Sequence, residues 1–422
     1  MVKVGTVIHR PKILAPVSDF TMLRAAIDAG CDEVYFGIKD FNMRATAKNF
    51  SIKDIKRIVG ICHKDGVKAF LALNIIIYNH ETKITEKIVK EAKRSGVDAM
   101  IAWDMSVISA CIKNKIPVHL STQNSISNYE ALRHYKMMVP NLQRIVLARE
   151  CSLEDIKNII TRIKKDKLNV EIETFIHGAM CVSVSGRCML SHHLFGKSAN
   201  RGECLQPCRR EYGVYKMKST DRLDVDNEFL LGEDCVISPK DLCTLPFIEQ
   251  LIDSGIDAFK IEGRNRNAEY VHTTVEAYRE VINHYNKHGN DKEYERLKKE
   301  NTEKLRRVFN RDFSSGFYLG RPLGEWSSPR TGEQTQMKLY VGKVMNYYPK
   351  IHVAEILVED KTLKKGDNVF IQGPTTGHYE LIAKEMKDDD GFTDSASKGA
   401  VIGLKVDRKV RKNDQVYKVV KK

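Results

Sequence analysis

Long apolar runs are missing from this chain of 422 residues, and no stretch reaches the roughly 18 to 20 apolar residues that a spanning helix needs. The opening segment, Met1 to Leu14, carries too short an apolar run for a secretory signal. The expectation is a cytoplasmic protein with no membrane partner. No G-x-G-x-x-G follows the first β-like run, which argues against a dinucleotide-binding sheet. H-E-x-x-H and G-x-S-x-G are absent too, so metalloprotease and serine-hydrolase chemistry find no foothold. There is no internal repeat and no low-complexity block.

Basic residues, by contrast, are in excess. Lys and Arg number 69 against 55 Asp and Glu, a formal net charge of +14. Such a balance favours a polyanionic partner and also fits a simple Lys-rich surface. The stretch Lys405 to Lys422 concentrates it, with eight Lys or Arg against two Asp, as basic tails that track nucleic acid do.

From the start to about residue 265, short β-branched runs alternate with amphipathic stretches, the grammar of βαβ units. Eight runs are expected as strands: Lys12–Val17, Glu33–Ile38, Lys68–Asn74, Ala99–Trp103, Pro117–Ser121, Arg144–Ala148, Val170–Ile176 and Asp257–Ile261. Gly30, Gly66, Gly96 and Gly255 close intervening helices where a left-handed residue belongs. Ser18, Ser51 and Ser152 stand where N-caps belong, with Asp155 three residues after Ser152. Eight such units fit a (β/α)8 TIM-like barrel, whose chemistry lies on the loops after the strands. Those loops carry Asn42 and Arg44, Asn74, Asp104, Thr122 and Gln123, Arg149 and Glu150, His177, then Glu262 and Arg264. Each could equally be a helix cap or a loop hydrogen bond. Ala268–His288 and Lys292–Val308 read as trailing helices. From about Met337 the pattern changes to short strands and turns, predicting a small antiparallel β-barrel. The expected division is 1–334, with a cysteine-bearing insertion over 178–256, and 335–422.

Ten cysteines in a cytosolic chain do not make a disulfide framework. Cys31, Cys62, Cys111, Cys151 and Cys235 are scattered. The others are spaced Cys181-x6-Cys188-x15-Cys204-x38-Cys243, with Cys208 just after Cys204, in the long connection before the eighth strand. Soft thiolates at such separations suit an iron–sulfur cluster or zinc. A Cys–His pair built from His177 and Cys181 or Cys188 would instead support peptidase chemistry.

The run Glu173-Thr174-Phe175-Ile176-His177-Gly178-Ala179-Met180-Cys181, continued by Gly186-Arg187-Cys188-Met189-Leu190-Ser191, resembles the signature of the collagenase-like peptidase family of unassigned catalytic type. Ile13–Pro16, Val34–Gly37, Phe41–Arg44, Ser238–Cys243, Lys260–Arg264 and Phe309–Phe313 resemble further family blocks, so the likeness covers nearly the whole chain. It implies two functions. One is a collagenase-like peptidase. The other is oxygen-independent hydroxylation of tRNA, rRNA or a ubiquinone precursor, with a 4Fe-4S cluster and, for RNA, prephenate as co-substrate. The likeness is greatest to the tRNA uridine 5-hydroxylases, which implies tRNA, not DNA, as partner and allows a paralogous protein partner. It implies Cys181, Cys188, Cys204 and Cys243 as cluster ligands, with Cys208 outside the set or replacing Cys204. A dicarboxylate needs guanidinium forks, for which Arg44, Arg149 and Arg264 are candidates, and Glu262 and His177 complete the expected site. Phe36, Phe41, Trp103 and Phe175 are candidates for stacking a base.

Overall fold

The computed structural model describes residues 10–184, 187–212, 237–327 and 335–421. Cys235 and Gly186 lie outside the described residues. Strands β1 (Lys12–Val17), β2 (Glu33–Gly37), β3 (Lys68–Leu73), β4 (Ala99–Ala102), β5 (Val118–Leu120), β6 (Leu142–Val146) and β7 (Glu171–Gly178) pair in parallel, each with the next. After β8 (Asp241–Cys243), strand β9 (Ala258–Ile261) pairs in parallel with both β7 and β1 and closes the barrel. All eight expected strands are present, displaced by no more than a residue or two at their ends.

The helices wrap the barrel: α1 (Phe20–Asp28), α2 (Ile55–Lys64), α3 (Thr82–Ser95), α4 (Met105–Lys113), α5 (Tyr129–Met138) and α6 (Leu153–Lys165). Ser152 caps α6 in a capping box with Asp155. The cap of α1 is Asp19 rather than Ser18, because its carboxylate reaches the Met22 amide. Gly30, Gly66, Gly96 and Gly255 all have positive φ, as expected of helix-closing glycines. Beyond α7 (Leu190–Phe195) and α8 (Ile248–Asp253), the paired helices α9 (Ala268–His288) and α10 (Lys292–Arg307) extend the outer layer. No helix among the described residues is long and apolar enough to cross a membrane.

The barrel interior is partly charged. Arg144, 1% exposed, holds Glu33 through two bonds of 2.6 and 2.8 Å and also reaches Glu173 and Glu171. Lys12 pairs with Glu171, and Lys260 with Glu173 at 2.7 Å. Above this layer Leu14, Tyr35, Phe70, Ala72, Ala99 and Ile101 form a small apolar plug.

The C-terminal residues form an eight-stranded antiparallel sheet and a two-stranded ribbon around their own core of Val341, Ile356, Val369, Ile402 and neighbours. The expected barrel is not closed by hydrogen bonds among the described residues: the strands at 377–382 and 391–392 stand at the two edges. The sheet curls around side chains instead. It docks on α1 and α9, where Arg408 pairs with Asp28 and Lys338 with Glu269 at 2.7 Å.

Candidate functional site

A cavity lies at the C-terminal ends of the barrel strands, lined by Tyr35, Arg44, Asn74, Gln123, Arg149, Phe175, Lys260, Glu262 and Arg264, and by Cys181, Cys188, Cys204 and Cys208. It therefore collects Arg44, Arg149, Glu262, Arg264 and three of the four expected thiol ligands.

One wall is ionic. Arg44 donates to a single oxygen of Glu262 through Nε at 3.0 Å and Nη2 at 2.7 Å. Burial pushes the Glu262 carboxyl up, but Arg44, Arg266 and Arg149 outweigh it and hold the group below the usual carboxylate range. Arg264, 4% exposed, donates to Asn42 Oδ1 at 2.9 Å, and burial pulls its pKa down to about 10, which leaves it cationic at neutral pH. Gly37 makes that contact possible, since a Cβ there would lie 2.4 Å from Asn42 and 2.6 Å from the Arg264 guanidinium.

The Arg149 guanidinium carbon lies over Phe175, 3.9 Å from the ring centroid, and the side chain donates to the Ala179 carbonyl at 2.8 Å, while its buried Nε has no hydrogen-bond partner among the described residues. Among the described residues neither Arg149 nor Arg264 has a carboxylate within ion-pair distance. The charges beneath them cancel: Lys12, Arg144 and Lys260 face Glu33, Glu171 and Glu173. Arg44 cancels Glu262. Arg149 and Arg264 thus stand at the cavity without an ion-pair carboxylate of their own among the described residues.

The thiol segment lines the cavity beside this ionic wall. Cys188 precedes α7, with its amide on Asn200 Oδ1 at 3.2 Å, and Gly202 then turns the chain with φ +83°. A Cβ on Gly202 would lie 2.2 Å from the Asn42 carbonyl, so this segment presses directly on the loop that carries Arg44. Arg209 ties the turn at Cys208 to Ser238 Oγ (2.8 Å) and to the carbonyls of Met180 and Pro239. Burial raises the Cys204 and Cys208 thiols.

Two expected site residues are elsewhere. Cys243 lies on β8, which returns antiparallel beside the end of β7, and its buried thiol accepts from Tyr278 Oη at 3.7 Å. The fourth thiol at the cavity is Cys208. Spacing could not show this, because the direction in which the chain returns along β7 decides it.

His177 also faces away. The β7–β9 register slips between Phe175, paired with Lys260, and His177, paired with Ile261. The extra residue, Ile176, makes a bulge that turns the imidazole outward. There it sits among Tyr270, Tyr278 and Phe313 with ring centroids 5.5 to 5.9 Å away, and burial pushes its pKa down to about 3. The imidazole does not line the thiol cavity and cannot serve Cys181 or Cys188 as a base from this position.

Of the aromatic candidates, Phe175 lines the cavity, whereas Phe36 is fully buried beside Phe50 and Phe41 packs half-buried on the core. Trp103 lies outside the lining, under Arg187 at 5.4 Å. Lys260 is the functional candidate that sequence reasoning left aside; its inward phase on the eighth strand was the available signal.

No three His, Cys, Asp or Glu among the described residues converge tightly enough for a single metal ion. A cubane presents separate iron atoms to its thiolates and spreads them wider, so four thiols around one cavity suit its donor chemistry.

Comparison with known proteins agrees with the resemblance. The model of "Peptidase family U32" matches residues 18–328. A "Collagenase" of Porphyromonas gingivalis is 40% identical over 97% of this chain and 98% of its own. A "tRNA hydroxylation protein P1" of Bacillus subtilis is 33% identical over 99% and 98%. The "23S rRNA 5-hydroxycytidine C2501 synthase" of Escherichia coli is 36% identical over 65% of this chain and 39% of its own. Among solved structures, the U32 peptidase Mk0906 matches with a TM-score of 0.39 and 10% identity, over 62% of this chain and 97% of its own. With the family model covering residues 18–328, and the Porphyromonas and Bacillus relatives aligning almost end to end, the chain belongs to peptidase family U32.

Proposed function

We propose that the protein hydroxylates the wobble uridine of tRNA at C5 without oxygen, using a 4Fe-4S cluster and prephenate. One observation carries this reading: a single cavity brings together four thiols and two guanidiniums, Arg149 and Arg264, that have no ion-pair carboxylate among the described residues. Relatives named for tRNA hydroxylation support the RNA substrate, as does the excess of 69 Lys and Arg over 55 Asp and Glu.

Cys181, Cys188, Cys204 and Cys208 would hold the cluster, which would supply one-electron redox chemistry beside the substrate. Arg149 and Arg264 take one carboxylate each of the dicarboxylate, and the Tyr35 and Phe175 rings keep water from its apolar part. The Arg44–Glu262 pair fixes the loop after β2 and so the rim through which a base enters.

Mass spectrometry of tRNA nucleosides from strains with and without the gene tests the reading. Loss of 5-hydroxyuridine derivatives on deletion, restored by the wild-type gene, is expected. Unchanged tRNA with a lost rRNA modification would move the substrate to rRNA, and unchanged nucleosides in both would end the reading.

A further inference from the structure

We infer that Lys260 is a positioning and specificity residue, a hydrogen-bonding anchor that sets a dicarboxylate between Arg149 and Arg264. This rests on the co-substrate reading above and adds the residue that would orient the ligand.

Lys260 lies on the eighth barrel strand, 5% exposed, and lines the cavity floor. Its Nζ stands 4.5 Å from the Tyr35 ring centroid and 5.6 Å from that of Phe175. The same two rings carry the flanking cations, with Arg264 at 5.5 Å from Tyr35 and Arg149 at 3.9 Å from Phe175. The ammonium is thus bracketed by two aromatic faces, each bearing a guanidinium that lacks a carboxylate.

An ammonium has three donors. Among the described residues the only hydrogen bond of Lys260 Nζ goes to Glu173, at 2.7 Å. Glu173 is itself held by Arg144, and Arg144 by Glu33. This column fixes the ammonium from below and cancels its charge, so Lys260 contributes directed donors while Arg149 and Arg264, outside any ion pair among the described residues, contribute the charge. A dianion spanning the two guanidiniums must pass over it. A monoanion can engage only one guanidinium and forfeits that placement.

The test uses the full-length protein, with prephenate and its monocarboxylate analogue phenylpyruvate as probes, by calorimetry and in the tRNA assay. In Lys260→Met, the Kd and KM for prephenate are expected to rise tenfold or more, with kcat, tRNA affinity and phenylpyruvate binding little changed. Lys260→Arg restores part of the loss. If Lys260→Met fails to fold, Lys260→Met/Glu173→Gln keeps the buried column neutral and is read in the same way. Wild-type protein that binds prephenate while the folded variant binds it equally overturns the role of Lys260 alone. Wild-type protein that binds neither probe overturns the co-substrate reading and this role with it.

Discussion

Arg44 closes on Glu262 through two hydrogen bonds to one carboxylate oxygen, joining the loop after the second barrel strand to the end of the eighth. Glu262→Gln is expected to cost about 1 to 2 kcal/mol, because it leaves a half-buried guanidinium without its partner. The folded carboxyl lies below its unfolded value, so its contribution is complete above the unfolded pKa and is lost as pH falls through the folded one. Urea unfolding from pH 7 to pH 3 should show that acid loss in the wild type and a shallower one in the variant.

The thiols make a sharper prediction. Cys181→Ser, Cys188→Ser, Cys204→Ser and Cys208→Ser should each lower iron and sulfide severalfold after anaerobic purification. Cys243→Ser should keep both and cost about 1 to 2 kcal/mol in packing. Iron retained without Cys208 and lost without Cys243 would instead require β8 to present its opposite face to the cavity.

His177 should behave as a structural imidazole. Its folded pKa, about 3, lies below the unfolded value, so it supports the fold above about pH 6.5. Below that its support declines by about 1.4 kcal/mol per pH unit until the folded pKa is reached. His177→Phe keeps the aromatic packing and removes this acid sensitivity, which unfolding curves at pH 7 and pH 5 would reveal. Proteolysis of denatured collagen that vanished in this variant would instead restore the imidazole as a base.

RNA binding should weaken steeply with salt. Exposed Lys409 and Lys412 lie in the basic C-terminal stretch. Changing both to Gln is expected to lower the log K against log salt slope by about 2, with kcat unchanged. An unaltered slope would place the phosphate contacts elsewhere.

Much of the barrel was legible because its strands are short β-branched runs punctuated by glycines whose positive φ is a local property. Arg44, Arg149, Glu262 and Arg264 were legible for a related reason: strand ends in a barrel converge on one mouth. Cys208 and Cys243 were not, because their places relative to the cavity depend on β8 running antiparallel beside β7, a tertiary choice with no local signature. Gly377–Ile382 and Gln415–Lys421 mix charged and apolar residues and gain their order from pairing with Asn368–Gly373. Lys260 reads as one more lysine until its strand is wound into the barrel.

The bulge at Ile176 works like a one-letter change of reading frame. Were the ladder regular there, with Ile176 opposite Ile261, His177 would take the phase of Phe175 and turn toward Lys260 and the thiols, while every other barrel strand kept its phase. A base and a nucleophile would then share the cavity. In this scaffold one residue of strand register separates a mouth built around anions and thiols from one furnished for attack on a peptide carbonyl.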